Sequence, residues 1–336
     1  MLRESDTTVT WMRRLAFVAV LLAFGVVVLG AYVRLTTAGL GCPDWPGCYG
    51  HLAPTAEAAN VGRAWREMIH RYCAGSLVVL TLVLAVLALV HRSRSRALGH
   101  ARDLYVPFTF AVVATILIQA LLGMLTVTWQ VAPQIVTLHL LFGLTTLGLL
   151  WWLWLTLNVR SPPAAAPALA RGLAALGLVA LAVQIALGGW TSTNYAAIAC
   201  PDFPTCQASW WPHMDFGHAF VLWHAPTMNY EGGVLGNPAR IAIHFTHRLG
   251  ALVATAALVL AAAWVLARGL KRARLPAIAV LLALALQLTI GITMVLKGFP
   301  LWLATAHNGG AALLLLATLA LNHRLNAVGA AKLMER

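Results

Sequence analysis

The chain has 336 residues, 60% of them hydrophobic and only 10% charged, against roughly 45–50% and about 25% in soluble domains. Lys and Arg total 23 and Asp and Glu 10, a formal net charge of +13 that in a soluble chain would point to nucleic acid. A composition this apolar excludes that partner, along with the soluble, disordered and disulfide-scaffold classes. The five cysteines form no C-x-x-C or C-x-x-C-H, which excludes covalently attached c-type haem and zinc modules.

A helix crossing about 30 Å of hydrocarbon at about 1.5 Å per residue needs about 20 apolar residues. Such runs cover residues 14–34, 68–91, 104–129, 134–157, 172–192, 241–267, 276–297 and 301–322, which predicts an all-α integral membrane protein with eight transmembrane helices. The first run is too long for a signal peptide, and no small-residue cleavage site follows it. Cations set the orientation, because Lys and Arg are retained on the cytoplasmic side. With the N-terminus inside, Arg3, Arg13, Arg14, Arg92, Arg94, Arg96, Arg102, Arg160, Arg171, Arg268, Lys271, Arg272, Arg274, Arg324, Lys332 and Arg336 are cytoplasmic. Arg34, Arg63, Arg66, Arg71, Arg240, Arg248 and Lys297 fall on the other side or at its interface. Both termini are therefore expected in the cytoplasm, and the long segments 35–66 and 193–240 outside.

The chain repeats itself. GCPDWPGC at 41–48 returns as ACPDFPTC at 199–206, an offset of 158 from Cys42 to Cys200. EMIHR at 67–71 returns as HFTHR at 244–248, an offset of 177 from His70 to His247. Gln119, Gly123 and His139 match Gln287, Gly291 and His307, an offset of 168. The rise from 158 to 177 places about 19 extra residues in the second outer loop. Each copy has an even number of spans, so the repeat is parallel. Residues 1–158 and 159–336 are predicted to form two tandem, pseudo-symmetric four-helix bundles.

Of twelve histidines, His70, His139, His247 and His307 recur at equivalent positions near the outer ends of apolar spans. One intramembrane histidine is usually hydrogen-bonded between helices; recurrence in both halves points instead to ligation. Two imidazoles facing across a bundle at one depth suit axial ligation of haem iron, whereas zinc needs further ligands. Arg71 and Arg248 follow His70 and His247 directly, and are read either as anchors for haem propionates or as cations snorkelling to headgroups. Arg34 is open in the same way. Glu67 stands three residues before His70 on the same helical face, where the second half has His244. It is read as base, proton relay or cation stabiliser, or as an acid at a helix start. This asymmetry makes the first half the catalytic one, and the second an electron-transfer or structural haem site. His244 is a competing ligand, and His247 is preferred because it aligns with His70 and precedes the arginine.

Cys42 with Cys48, and Cys200 with Cys206, are predicted to form disulfides in an oxidising compartment, either as staples or, the loops being short, as redox-active pairs. Cys73, inside the second span, reads as packing. His213, His218 and His224 read with Trp210, Trp211 and Trp223 as an interfacial aromatic cluster.

Through EMIHR, the duplicated CPDxPxC loops, the four repeated histidines and the eight spans, residues 11–325 resemble the haem A synthase family. The resemblance implies a multi-pass oxidoreductase of the bacterial inner membrane, which oxidises a ring methyl of haem O to a formyl group to make haem A for terminal oxidases. It implies that substrate haem O sits between His70 and His139 with Glu67 at the reaction centre. It also implies a resident haem b between His247 and His307, and a functional cysteine pair at Cys42 and Cys48. The implied partners are haem O and an electron acceptor of unstated chemistry, with room for a haem O synthase or a second copy of the chain and none for nucleic acid. Two other classes stay open on the sequence. A dihaem b-type quinol carrier explains the four histidines but neither Glu67 nor the cysteine loops; in a quinone-coupled thiol oxidase the histidines are incidental. A transporter built on the repeat has little to support it.

Overall fold

A computed structural model describes residues 7–56, 58–97, 105–159, 166–226 and 228–326. Arg3, Arg102, Arg160, Lys332 and Arg336 lie outside the described residues, as does the side chain of Arg96. Within hydrocarbon a backbone must satisfy its own N–H and C=O groups, and the apolar runs accordingly form helices. These are α1 (Thr7–Leu35), α2 (Val61–Ala97), α3 (Tyr105–Thr128), α4 (Pro133–Leu157), α5 (Ala168–Thr193), the single turn α6 (Phe216–Ala219), α7 (Asn237–Ala267), α8 (Lys271–Leu296) and α9 (Leu301–Asn326). All except α6 are long and apolar enough to cross a membrane, so each of the eight predicted spans is found. The main difference is length. α2 runs for 37 residues, because its polar ends continue the helix past the apolar stretch 68–91. Proline in the first turn starts α4 and α7, where its missing N–H forfeits no helical bond.

In the first half α1 packs on α2, α2 on α3, α3 on α4 and α4 back on α1, closing a ring; α5, α7, α8 and α9 close a second ring in the same order. The rings meet where α1 touches α9 and where α4 touches α5, with α4 against α9 between them. Leu147, Leu150 and Leu153 of α4, with Leu258 and Leu321, are fully buried in the shared apolar core. Val79, Leu252, Val253 and Leu282 point outward and are well exposed. Such a belt would drive association in water and is suited to lipid.

The repeat extends to the loops. The Asp44 carboxylate accepts the Tyr49 and Gly50 amides at 2.6 and 2.8 Å, and Asp202 accepts the Gln207 and Ala208 amides at 2.6 and 3.0 Å. Each loop adds one isolated bridge, Cys48 to His51 and Cys206 to Ser209. Beyond this shared part, the longer second loop crosses to the first half. Gln134 Nε2 donates to the His224 carbonyl at 2.7 Å, the Tyr230 amide donates to the Gln130 carbonyl at 3.1 Å, and Arg63 pairs with Glu231 at 2.6 Å.

Candidate functional site

The four repeated histidines are held by one device. Each ring lies against a glycine of the neighbouring helix. A Cβ on Gly30 of α1 would stand 2.9 Å from His70 Cε1, and one on Gly123 of α3 would stand 3.3 Å from His139 Cε1. The second half repeats this with Gly188 of α5 against His247 at 3.0 Å and Gly291 of α8 against His307 at 2.8 Å. At contacts this short a larger residue would require the ring or its helix to give way. Gly123 and Gly291 stand out in the repeat; Gly30 and Gly188 share the 158 offset of the cysteine loops, a signal that a search for chemistry-bearing residues passes over.

His70 on α2 and His139 on α4 face each other with ring centres 6.5 Å apart and planes at 71°. Two imidazoles bonded to one metal ion at about 2 Å each have ring centres about 6 Å apart, so the pair fits one iron between them. Both histidines keep some accessible surface, although each Nδ1 is buried without a hydrogen-bond partner and each Cε1 meets a glycine. The open edge is therefore the one toward Nε2. In the second half the corresponding histidines are His247 on α7 and His307 on α9. Gln287 Nε2 lies 3.3 Å from His307 Nε2, a contact that nitrogen must release to bind a metal. Among the described residues no group of three or more His, Cys, Asp or Glu could hold a metal ion. The donor sets are pairs of imidazoles, which suit the two axial positions of haem iron.

The two arginines are engaged on the loops. Arg71 Nη1 donates to the carbonyls of Asp44, Pro46 and Gly47 at 2.9, 3.2 and 2.5 Å, and its Nη2 pairs with Glu67 Oε1 at 2.5 Å. The other Glu67 oxygen accepts the Cys42 amide at 2.9 Å. Glu67 is 4% exposed, so the first cysteine loop, Arg71 and Glu67 form one buried latch beside His70. Arg248 does the same in the second half, donating to the carbonyls of Thr205, Cys200 and Asp202 at 2.7, 3.1 and 2.8 Å. Its Nε reaches His244 Nε2 at 3.2 Å. His244 thus occupies the place of Glu67 in the latch, with its ring toward Phe299.

Both disulfides are formed. All four of these cysteines are at most 1% exposed, which favours staples over pairs exchanging with a partner thiol. Cys73 is a free thiol. Arg34 donates to Tyr195 Oη at 2.9 Å and to the Ser192 carbonyl at 3.2 Å, tying α1 to the end of α5. The loop histidines and tryptophans do not gather into one cluster. His224 lies between Trp190 and Tyr230, Trp223 meets Trp129, Trp211 meets Phe245, and His218 bonds Asp215 locally. Burial pushes the His224 pKa down.

The chain is similar over most of its length to known proteins. The chain is 40% identical over 334 residues to the heme A synthase of Shewanella oneidensis, covering 94% of this chain and 96% of that relative. It is 29% identical over 343 residues to the heme A synthase of Sphingopyxis alaskensis, covering 91% and 89%. Over 212 residues it is 31% identical to the heme A synthase of Halalkalibacterium halodurans, covering 60% and 66%. The profile of the cytochrome oxidase assembly proteins, COX15-CtaA, matches residues 13–319, and the chain belongs to that family.

Proposed function

We propose that this protein is a haem A synthase of the bacterial inner membrane, with its termini in the cytoplasm, which oxidises a ring methyl of haem O to a formyl group. The observation that carries this reading is the His70–His139 pair, 6.5 Å apart between ring centres, with a buried carboxylate one turn away that the equivalent second site lacks. The relatives named heme A synthase support it over nearly the full chain.

In this reading the N-terminal ring is catalytic. His70 and His139 bind the iron of substrate haem O through Nε2, and the glycine behind each ring fixes its angle. The methyl passes through alcohol and hydrated-aldehyde stages; each of the two oxidations adds a hydroxyl from water and releases two electrons to an external acceptor with two protons, and loss of water from the hydrate leaves the formyl group. Glu67 is fixed at both oxygens, by Arg71 and by the Cys42 amide. That geometry suits a fixed negative charge that stabilises cationic character developing on the methyl carbon, better than a base that must swing free. The stapled loop excludes bulk water from the outer end. In the C-terminal ring His247 and His307 hold haem b, which supplies one-electron redox chemistry when bound.

Glu67→Gln is expected to keep haem bound and to abolish haem A formation in cells that make haem O, read by pigment extraction and chromatography. Full turnover by that variant overturns the role of Glu67. His247→Ala or His307→Ala is expected to remove a low-spin bis-histidine spectrum, and an unchanged spectrum overturns the haem b assignment.

A further inference from the structure

We infer that Gln184 is a positioning residue for His247, setting the electron-donating strength of that ligand through its Nδ1; the inference rests on the haem b reading above. Of the four repeated histidines, His70, His139 and His307 have an Nδ1 that is buried without a hydrogen-bond partner. His247 is the exception. Its Nδ1 lies 3.0 Å from Gln184 Nε2, which also donates to the His247 carbonyl at 3.0 Å. Gln184 stands on α5 one turn before Gly188, the glycine that admits the same ring.

The fold makes room for this amide. A Cβ at position 250 would collide with Gln184 Oε1 and stand 2.9 Å from Leu187, so Gly250 leaves the space the carboxamide occupies. In the register of the repeat, Gln184 corresponds to Val26 by the offset that relates Gly188 to Gly30. Gly250 corresponds to Cys73 by the offset that relates His247 to His70. The amide and its space occur together beside His247 and are absent together beside His70, whereas elsewhere in the two halves Gln119 lies against Gly143 and Gln287 against Gly310. Gln184 Oε1 is buried with no partner, and burying an unbonded amide oxygen is unfavourable. Gln119 Oε1 and Gln287 Oε1 are likewise buried and unbonded, and what sets Gln184 apart is that its amide reaches the Nδ1 of its histidine.

Ligation through Nε2 requires the imidazole proton on Nδ1, and an acceptor there fixes the tautomer and raises the basicity of the ligand. Half a turn of the carboxamide about its Cγ–Cδ bond exchanges Nε2 for Oε1 and gives Nδ1–H that acceptor, at the cost of the amide's bond to the His247 carbonyl. With the ring proton on Nε2 the amide nitrogen donates to Nδ1 instead, as in this structure. An amide serves both states of the ring, since it carries a donor and an acceptor. Gln287 has no such role, because it approaches His307 at Nε2. A more electron-donating His247 favours the ferric state, so Gln184 lowers the potential of the second site.

The test is a potentiometric titration of the low-spin haem in purified protein, comparing wild type with Gln184→Leu and Gln184→Glu. Gln184→Leu is expected to raise the midpoint potential by the equivalent of a tenfold shift in the oxidised-to-reduced ratio, about 59 mV for one electron. Gln184→Glu retains an oxygen acceptor and is expected to hold the potential at or below that of wild type. Loss of haem from Gln184→Leu but not from Gln184→Glu also supports the inference. No shift in Gln184→Leu, equal shifts in both variants, or loss of haem from both while circular dichroism shows intact helices overturns it. If the low-spin spectrum survives His247→Ala, the haem b reading has failed. If His247→Ala removes the spectrum and Gln184→Leu leaves the potential unmoved, only the inference has failed.

Discussion

Arg71 and Arg248 occupy the same place in the two halves, each following a repeated histidine and gripping the carbonyls of a disulfide loop, yet one closes on the Glu67 carboxylate and the other on the His244 imidazole. A second exchange flanks the same two histidines, with Val26 and Cys73 in the first half against Gln184 and Gly250 in the second. What the halves share is scaffold: a closed ring of helices, a glycine behind each histidine and an aspartate-capped loop. What separates them lies within about one helical turn of the histidine. Duplication thus supplies two equivalent histidine sites, and in the proposed reading a few adjacent side chains assign them different chemistry, in keeping with function residing in sites and not in folds. The extra length of the second loop also serves the first half, where His224, Tyr230 and Glu231 make contacts.

The latch gives the sharpest test of that comparison. Arg71→Ala leaves the buried Glu67 carboxylate without its cation and is expected to destabilise the protein by about 3–5 kcal/mol. Arg248→Ala strands three loop carbonyls and an imidazole that carries no obligatory charge, and about 1–3 kcal/mol is expected. Thermal unfolding in detergent measures both, and equal losses would place the weight on the shared loop contacts instead of on Glu67. The glycines come next. Gly30→Ala and Gly188→Ala each overpack one ring, at about 1–3 kcal/mol, but only Gly188→Ala is expected to disturb the low-spin spectrum of the second site. A spectrum perturbed equally by both substitutions would mean that the pockets are not independent.

The eight spans were legible because an apolar run of membrane length has few other uses, and the four histidines because a polar ring recurring in such runs stands out. The polar extensions of α2 were not, since nothing in their composition distinguishes a helix continuing beyond the bilayer from a loop. Arg71 and Arg248 were open between propionates and headgroups; the structure engages them on loop carbonyls, which every residue carries and no sequence pattern marks. Gly30, Gly188 and Gln184 lay within the repeat register. A glycine or glutamine in an apolar helix acquires meaning only when the ring it touches is known. The bonds of Gln134 to the His224 carbonyl and of the Tyr230 amide to the Gln130 carbonyl depend on the second outer loop folding over the first half, and no local pattern encodes that.

The smallest expected effect concerns the loops themselves. The Gly50 amide, followed by the Tyr49 amide and Arg71, holds the Asp44 carboxyl below the usual carboxylate range. For Asp202 the Thr205 hydroxyl comes first, followed by the Ala208 and Gln207 amides. A carboxyl whose pKa is lower in the folded state gives stability that is fully present above its unfolded value, about 3.9, and is lost as pH falls through the folded value. Both loops are therefore expected to hold at neutral pH and to loosen only below the ordinary carboxylate range, which hydrogen-exchange protection at Tyr49, Gly50, Gln207 and Ala208 measures. Asp44→Asn should cost about 1 kcal/mol and remove protection from Tyr49 and Gly50 at neutral pH, leaving the second loop unchanged. Thr205 corresponds to Gly47 in the repeat, so the first loop has no hydroxyl at this place. Thr205→Ala should move the transition of the second loop to higher pH without touching the first. If the second transition stays where it is, the backbone amides alone set the acid limit of both loops, and the two halves are more alike at this end than at their histidines.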